Sequence, residues 1–372
     1  MEILNLFREI ANNPNDYVKT WKEENNGKVI GYFCSYTPEE ILFAAGALPF
    51  RIFGTGGNIS MADAHLQAYG CSLVRGALED TLSGKLNFLD GVIFPHTCDS
   101  IQRLSDIWRL NIDFGFHMDV VLPVKLNTDS AREYMVNVLK KFKHRFEKEL
   151  CCEITNENLK ASIEKYNRIR TCLKKIYEIK RENPDIISSS DIHTVVKASM
   201  VMDRNVLSEK LPRVLDLLED KKSEVKYTKK RLILAGGICN FPDIYQIIEG
   251  SGGVIVWDDT CTGSRYFEGA IDPNGDIIES IAQRYFERHV CPAKHSGLFN
   301  RGEHIVRIVK ENNAQGVVFL FLKFCDPHSF DYPYIKEMLN KEDIPSMLFE
   351  MEDLLSSKGQ LKTRCEAFLE TL

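Results

Sequence analysis

Short apolar runs alternate with longer amphipathic stretches along the chain, and this alternation predicts the fold class. The runs are rich in β-branched and aromatic residues and end at glycine, proline or polar residues, which is typical of buried strands in a parallel sheet. The stretches between them repeat apolar residues every three or four positions and predict helices. Strands are predicted at residues 29–34, 48–53, 91–94, 118–123, 232–238 and 253–257, from residue 316 to Cys325, and at 344–349.

The predicted elements divide the chain into two α/β halves with a helical segment between them. Residues 1–24 predict a helical segment with a break at Pro14, and residues 25–129 predict the first α/β domain. Residues 130–228 are helical in pattern throughout, and residues 229–372 predict a second α/β domain. Alternating strands and helices indicate an α/β fold of two flavodoxin-like or Rossmann-like parallel-sheet domains.

The second half repeats the order of the first. The sequence of strand, turn, helix, glycine and strand over residues 29–53 recurs over residues 231–257, which predicts an internal duplication. Each half also has a strand that ends in a cysteine followed by aspartate, at Cys98 and at Cys325. Two cysteines in matching strand-to-helix turns suggest one site shared between the two halves.

Cys98 is predicted to lie between the carboxyl end of a strand and the amino end of a helix. Residues 91–94 form the strand, and Asp99 or Ser100 is predicted to cap a helix that runs through Trp108. In open α/β sheets, ligands bind at this edge. The helix dipole there favours the thiolate, which is the form that binds metal.

Composition excludes several classes of function. The formal charge of −6 and the pI near 5.9 argue against nucleic acid, which is bound by a clustered basic surface. No apolar run approaches the ~20 residues of a membrane span, and the amino terminus has no apolar core of a secretory signal. These features predict a cytoplasmic protein without a membrane partner. In a reducing compartment, the eleven cysteines suggest metal binding or catalysis more than disulfides.

Six of the cysteines are predicted to lie in turns or at helix starts, three in each half. No compact CxxC pair occurs, which excludes a zinc ribbon or a ferredoxin-type run. Two ordinary cubane clusters need about eight thiolates, so three per cubane leave one iron on each without a cysteine. That iron could bind substrate, or a sulfide could bridge the two cubanes. The alternative is that these cysteines line separate turns without metal. They are Cys34, Cys71, Cys98, Cys261, Cys291 and Cys325.

Residues beside these cysteines are candidates for a supporting role. His96, Arg265 and Lys294 lie within four residues of a candidate ligand and could donate protons or hydrogen-bond cluster sulfurs. The alternative for each is an ordinary surface residue. Cysteines without a turn motif are interpreted as structural, namely Cys151, Cys152 and Cys172, and Cys365 lies in the final helix.

Four motifs give the chain a resemblance to a known family over nearly its full length. They are the segment Gly31-Tyr-Phe-Cys34-Ser-Tyr-Thr-Pro-Glu-Glu-Ile-Leu-Phe-Ala-Ala-Gly46-Ala-Leu-Pro49, His96-Thr-Cys98-Asp99, Asp258-Asp-Thr-Cys261-Thr-Gly263 and Phe324-Cys325-Asp326-Pro327. With these motifs the chain resembles the 2-hydroxyacyl-CoA dehydratase / benzoyl-CoA reductase family. The resemblance implies two flavodoxin-like domains with an oxygen-sensitive iron–sulfur cluster in the cleft between them. It also implies a separate ATP-hydrolysing activator protein with its own [4Fe-4S] cluster.

The resemblance also implies a ligand set. In dehydratase subunits of the family three cysteines hold one [4Fe-4S] cluster, and the matching positions here are Cys71, Cys98 and Cys325. All six cysteines together resemble the double-cubane branch, whose members are homodimeric reductases with an [8Fe-9S] cluster. The residues that occur in addition to the dehydratase set are Cys34, Cys261 and Cys291.

Three functions remain open at this point. The first is a double-cubane reductase that reduces a small molecule with electrons from the activator. The second is the [4Fe-4S] subunit of a heteromeric 2-hydroxyacyl-CoA dehydratase, a lyase, or of a benzoyl-CoA-type reductase. The third is a non-catalytic electron carrier, since a fold does not fix a function. The first predicts about eight irons per chain and the second about four.

Overall fold

The computed structural model describes residues 2–54, 57–221, 229–238, 243–288, 291–351 and 358–372. The first half contains α1 Glu2–Asn12, α2 Pro14–Asn25, β1 Lys28–Tyr32, α3 Glu39–Ala44, β2 Ala47–Arg51, a 3₁₀ turn Ala62–Ala64, α4 Ser72–Leu82, β3 Gly91–Pro95, α5 Asp99–Asn111 and β4 Phe116–Val120. The helices α6 Asp129–Leu150, α7 Asn156–Glu182, α8 Ser189–Ser199 and α9 Arg204–Glu219 follow. The second half contains β5 Lys230–Gly236, α10 Asp243–Gly250, β6 Gly253–Asp259, α11 Ser264–Phe267, α12 Ile277–Glu287, α13 Asn300–Glu311, β7 Gly316–Leu322, α14 Asp326–Lys341, β8 Ser346–Met351 and α15 Lys358–Glu370.

Each half is built on its own parallel sheet. Within the described residues the first sheet has the strand order β2-β1-β3-β4 and the second has the order β6-β5-β7-β8. All pairings are parallel. The predicted α/β fold with two parallel-sheet domains is therefore confirmed. The same order in both sheets agrees with the predicted duplication.

The strand order reverses once in each sheet, and this reversal positions the site. In the first sheet the chain runs from β1 to β2 on one side and from β3 to β4 on the other side, so a crevice opens between the carboxyl ends of β1 and β3. In the second sheet the same crevice lies between β5 and β7. Loops that follow these four strands are the natural walls of a ligand site.

Helix α7 joins the two halves. The hydroxyl of Ser162 donates to the carbonyl oxygen of Glu40 over 2.8 Å, and the amide of Asn167 donates to the carbonyl of Ile271 over 2.6 Å. One continuous apolar core includes Phe33 of the first half together with Leu322 of the second. Because the halves share a core and a helix, their crevices are held in a fixed relation.

The sequence pattern predicts a mostly helical stretch over residues 62–86 that is broken at Gly70 and Cys71; the helix after the break is confirmed, but the helix before it is wrong apart from the 3₁₀ turn. The carboxylate of Glu79 accepts the backbone N–H groups of Ser60 (3.0 Å) and Ala62 (2.9 Å). These bonds fold the preceding chain over α4 as an irregular loop. The helix begins only at Ser72, which leaves Cys71 at its N-cap in an extended backbone conformation.

The predicted helical segment contains several separate helices, and each start has a local cause. The side chain of Thr128 accepts the N–H of Ala131 at the start of α6, and Thr155 caps α7 in the same way. Residues 222–228, where the predicted domain boundary falls, lie outside the described part of the chain. The domain boundaries therefore stay a prediction. Among the described helices none is long and apolar enough to cross a membrane.

Candidate metal centre

Cys98 lies where the strand order of the first sheet reverses. Strand β3 is buried along its whole length, and Cys98 is the N-cap of α5 with an extended backbone (φ −153°, ψ 165°). The predicted cap at Asp99 or Ser100 is therefore displaced, because both residues are already inside the helix. Cys34 follows the neighbouring strand β1 by two residues, so both thiols stand at one crevice.

The helix start does not by itself make Cys98 a thiolate. Burial raises the pKa of Cys98 to about 12, and charge on Cys71 and Cys34 adds to this shift. The backbone N–H of Ile101 opposes the shift but is outweighed. The helix start therefore lowers the pKa of Cys98 as expected, but burial has the larger effect. A bound metal ion would have to displace the thiol protons.

Cys325 repeats this arrangement in the second half. It follows β7 and is the N-cap of α14, and its N–H donates to the carbonyl of Leu322 over 3.1 Å. Phe324 before it adopts a left-handed backbone with φ +64°, which is uncommon for a bulky residue. Sparsely populated backbone conformations of this kind cluster at functional sites. Here the conformation reverses the chain directly before the cysteine.

The turn after β6 carries Cys261 over the end of β5. The N–H of Cys261 donates to the carbonyl of Gly237 over 2.9 Å. The buried carboxylate of Asp258 organises this turn, since it accepts the N–H of Ser264 at 2.8 Å and that of Thr260 at 3.2 Å. It also accepts the hydroxyl of Tyr177 on α7. The helix that joins the halves thus helps to position Cys261.

Charge interactions connect three of the cysteines in every pairwise combination. We define the first triad as Cys71, Cys98 and Cys325. Charge on Cys71 raises the pKa of Cys98, after the larger effect of burial. Burial raises the pKa of Cys325, and charge on Cys71 and Cys98 adds to it. The first triad is therefore a compact group of thiols that both halves supply.

The other three cysteines form a second group. We define the second triad as Cys34, Cys261 and Cys291. Burial raises the pKa of Cys291 to about 11, and charge on Cys34 and Cys261 adds to it. The triads also interact with each other, because charge on Cys34 acts on Cys98 and charge on Cys261 acts on Cys325. These charge interactions connect all six cysteines, which we call the cysteine ring, while their role as ligands stays a prediction.

The donor set fits an iron–sulfur cluster better than a single ion. Among the described residues no three His, Cys, Asp or Glu side chains converge closely enough to hold one metal ion. In an iron–sulfur cluster each thiolate binds a different iron, so the cysteines surround the cluster instead of meeting at a point. Thiolates are also the soft ligands that such clusters prefer.

Two buried cations border the second triad. The Lys294 ammonium has no exposed surface and donates to the carbonyl of Leu122 over 3.0 Å. Burial lowers the pKa of Lys294, and charge on Cys291 and Cys34 opposes this shift. Arg265 is also buried, and within the described chain its Nε and Nη1 have no hydrogen-bond partner. The alternative that these two are ordinary surface residues is wrong.

Arg265 is held in place by an acidic residue. Its Nε lies 3.7 Å from the carboxylate of Asp259, and its Nη2 donates to the carbonyl of Gly236. Burial lowers the pKa of Arg265, but charge on Asp259 and Cys261 outweighs this and raises it. Asp259 also pairs with Arg301 at 2.7 Å. A buried guanidinium that interacts with the Cys261 thiol, and whose Nε and Nη1 have no oxygen acceptor in the described chain, suits the sulfur atoms of an anionic cluster.

His96 has a different partner from the two cations. Its Nε2 lies 2.8 Å from the carboxylate of Asp119 on β4, which also accepts the hydroxyl of Ser105 over 2.5 Å. His96 is half-buried. A role as proton donor therefore stays a prediction for this residue.

Sequence reasoning quoted Asp258 and Asp259 as part of a motif but assigned them no role. Two consecutive acids between a buried strand and a candidate ligand are unusual, because buried carboxylates require partners. That signal could have identified them. Tyr36 was also missed. It lies under two cations, with Arg288 4.7 Å and Lys294 5.9 Å from its ring centre.

A cavity of about 740 Å³ opens beside the first triad. Cys98 lies in its wall, together with Pro292 from the loop after Cys291 and Phe330 from α14. The cavity is therefore bounded by both halves. A small molecule in it would lie beside Cys98.

The remaining described cysteines lie outside the ring. Cys151 is exposed at the end of α6, where it adopts a left-handed backbone with φ +49°. Cys172 and Cys365 are buried in helices, and Cys152 is half-buried. All described cysteines are free thiols. The interpretation of Cys151, Cys152 and Cys172 as structural stays a prediction.

Fold and site together define an α/β protein of two parallel sheets with a thiol-lined centre between its halves. The model of the family described as 2-hydroxyglutaryl-CoA dehydratase, D-component, matches residues 34–372. The chain belongs to this family, as its sequence motifs predicted. Relatives in the family are named as subunits of enzymes, so the prediction that the protein is an enzyme is confirmed.

Several curated relatives match over nearly their whole length. The chain is 29% identical to the (R)-phenyllactyl-CoA dehydratase beta subunit of Clostridium sporogenes, over 100% of the chain and 99% of the relative. It is 26% identical to the beta subunit of (R)-2-hydroxyglutaryl-CoA dehydratase from Acidaminococcus fermentans, with coverage of 100% and 99%. It is 27% identical to one of the subunits of benzoyl-CoA reductase from Thauera aromatica, with coverage of 95% and 93%.

Proposed function

We propose that the protein is a low-potential reductase that holds an [8Fe-9S] double-cubane cluster on its six-cysteine ring. One observation supports the proposal, namely that charge interactions connect the three cysteines of the first triad with the three cysteines of the second. Two cubanes with three thiolates each, joined by a sulfide, require such an arrangement. A single cubane on the first triad would leave Cys34, Cys261 and Cys291 without a cluster to bind, although Cys34 and Cys261 both interact with Cys291.

Each triad has a distinct place in this proposal. Cys71, Cys98 and Cys325 hold the cubane that faces the cavity, since Cys98 lies in the cavity wall. Cys34, Cys261 and Cys291 hold the other cubane. When bound, the cluster supplies electrons at low potential. The chain binds substrate in the cavity, excludes water around the buried thiols and holds two fixed positive charges beside the second triad.

The electrons come, in this proposal, from a separate ATP-hydrolysing activator protein with its own [4Fe-4S] cluster. We expect the reductase to act as a homodimer in the cytoplasm on a small-molecule substrate. Neither nucleic acid nor membrane is an expected partner.

A second candidate function is favoured by the names of the relatives. In it the protein is the [4Fe-4S] subunit of a 2-hydroxyacyl-CoA dehydratase or a benzoyl-CoA-type reductase, holds one cluster on the first triad and forms a heterodimer with a different subunit. The third candidate, a non-catalytic electron carrier, has less support. A carrier needs no cavity of about 740 Å³ beside its cluster.

Serine substitutions in the two triads separate these candidates. Purified without oxygen, Cys34→Ser and Cys261→Ser are expected to lose about half of the iron of the unaltered protein, because only the second triad is broken. Cys98→Ser is expected to lose iron from the first triad. Cys151→Ser serves as the matched control, since this cysteine is exposed and outside the ring.

Iron content that is unchanged in both second-triad variants would contradict the double-cubane proposal and favour the single cluster. Equal iron loss in Cys151→Ser would show that the assay reports general damage. Iron and acid-labile sulfide are counted per chain in each variant, and an electron paramagnetic resonance spectrum reports which cluster remains.

A further inference from the structure

The cavity beside the first triad has walls from both halves. One wall is the start of α5, where Asp99 lies, and the facing wall is the start of α14, where Asp326 lies. A third side is the loop of residues 292–298. Apolar side chains such as Leu298, which is 56% exposed, and Phe330, which is 78% exposed, stand at its mouth.

The charged groups in the lining are predominantly acidic. Asp99, Asp326 and Asp331 line the cavity, whereas His295 is the one basic residue among the lining residues described, and no lysine or arginine lines it. The carboxylate of Asp331 is neutralised by Arg301, at 2.7 Å. In the described chain the other two carboxylates take part in no ion pair. Two carboxylates in the cavity lining are therefore not neutralised by a cationic side chain.

The positive ends of helices α5 and α14 do not reverse the excess of negative charge in the cavity lining. A helix amino terminus carries roughly half a positive charge, which by itself attracts anions. Here Asp99 is the first residue of α5 and Asp326 is the first residue of α14. Each carboxylate therefore lies beside the partial positive charge of its own helix and compensates it. Neither helix start therefore offers an uncompensated positive charge to an entering anion.

We propose that this cavity is the substrate entrance and that it selects neutral or cationic small molecules over anionic ones, coenzyme A esters included. The phosphates of coenzyme A are bound in proteins by lysine, arginine or helix amino termini, and the lining offers no free group of these kinds. The inference rests on the proposed function only for the cluster behind the cavity wall. The charge preference of the cavity follows from its own residues.

A thiol placed at the cavity mouth measures this preference in the intact protein. Leu298→Cys puts a reporter in the lining, and Leu110→Cys puts a matched reporter on an exposed part of α5 that does not line the cavity. The rates of alkylation by neutral iodoacetamide and by anionic iodoacetate are measured for each reporter by peptide mass spectrometry. The two reagents are similar in size and differ in charge.

We expect the ratio of the iodoacetamide rate to the iodoacetate rate to be roughly two- to fivefold higher at the Leu298→Cys reporter than at the Leu110→Cys reporter, as exposed carboxylates produce. Adding Asp99→Asn and Asp326→Asn is expected to remove most of this difference, and so is high salt. Adding Asp129→Asn, which alters the first residue of a helix that does not line the cavity, is the control and is expected to leave the difference unchanged. Equal ratios at both reporters would overturn the inference.

Coenzyme A itself provides the last arm of the test. At millimolar concentration it is expected to leave alkylation of the Leu298→Cys reporter unchanged, and protection of the reporter would overturn the inference. Iron is counted on the same samples. Protection by coenzyme A with about eight irons per chain refutes the inference alone, whereas an altered iron count with an intact charge preference refutes the proposed function alone.

Discussion

Replacing Asp258 with alanine is expected to release the turn that carries Cys261. The carboxylate is buried and accepts the N–H and the hydroxyl of Thr260, both at 3.2 Å, the N–H of Ser264 at 2.8 Å and the hydroxyl of Tyr177. Alanine would leave these four donors without an acceptor. At about 1 kcal/mol per hydrogen bond, the free energy of unfolding is expected to fall by about 4 kcal/mol.

The consequence for the metal centre is specific. Cys261 belongs to the second triad, so Asp258→Ala is expected to lose about half of the bound iron, while the first triad keeps its share. Urea unfolding measures the stability, and an iron count on anaerobically purified protein measures the occupancy. Asp258→Asn keeps the side-chain volume and one acceptor oxygen, and we expect it to lower the free energy of unfolding by about 1–2 kcal/mol.

Asp272→Ala is the matched control. Asp272 also accepts a backbone N–H two residues ahead, from Asn274 at 3.0 Å, but this bond is exposed. We expect a stability loss below about 1 kcal/mol and no loss of iron. Full iron occupancy in Asp258→Ala, despite a large loss of stability, would refute the reasoning that this carboxylate positions Cys261.

Three further predictions follow from buried groups. Lys294→Met removes a positive charge beside the second triad, which should make the proposed cluster harder to reduce. A redox titration followed by electron paramagnetic resonance should show a midpoint potential of the cluster lower by roughly 50–100 mV, for an interaction of about 1–2 kcal/mol. An unchanged or higher potential would contradict this. In Gly263→Ala the new Cβ would overlap the Asp258 carboxylate and displace the turn that carries Cys261. The iron content per chain should therefore fall by about half, and an unchanged iron content would contradict the claim that this turn leaves no room for a side chain. Burial alone would raise the pKa of Glu40, but Arg170 outweighs it and the pKa is lowered from 4.5. The ionised Glu40 therefore stabilises the fold above pH 4.5, and this stabilisation is lost as the pH falls through the lowered pKa. Between pH 6 and pH 3 the free energy of unfolding, measured with urea, should decrease more in the unaltered protein than in Glu40→Gln, and equal decreases would contradict this.

The sequence pattern was sufficient for the strands and for the two turns that carry Cys98 and Cys325. Both turns follow a continuously apolar strand and precede a helix, and this local order does not depend on the rest of the chain. The parallel arrangement then follows from the alternation of strands and helices. The repeat over residues 231–257 was visible for the same reason.

The parts that could not be predicted depend on contacts between distant residues. The loop before α4 was mistaken for helix because its shape depends on Glu79, which lies 19 residues after its partner Ser60. Arg265 is buried by its pairing with Asp259 and with a carbonyl 29 residues earlier. A single sequence does not reveal such pairings. The charge interactions between cysteines of the two triads have the same origin, because each triad combines loops from both halves.

The most direct test of the central claim is the stoichiometry of the unaltered protein. Iron and acid-labile sulfide are measured per chain after purification without oxygen, with Mössbauer spectroscopy to show that all the iron belongs to clusters. The double-cubane proposal predicts about eight irons and about nine sulfides per chain. About four irons would contradict it in favour of a single cubane on Cys71, Cys98 and Cys325, and an iron-free protein would contradict both.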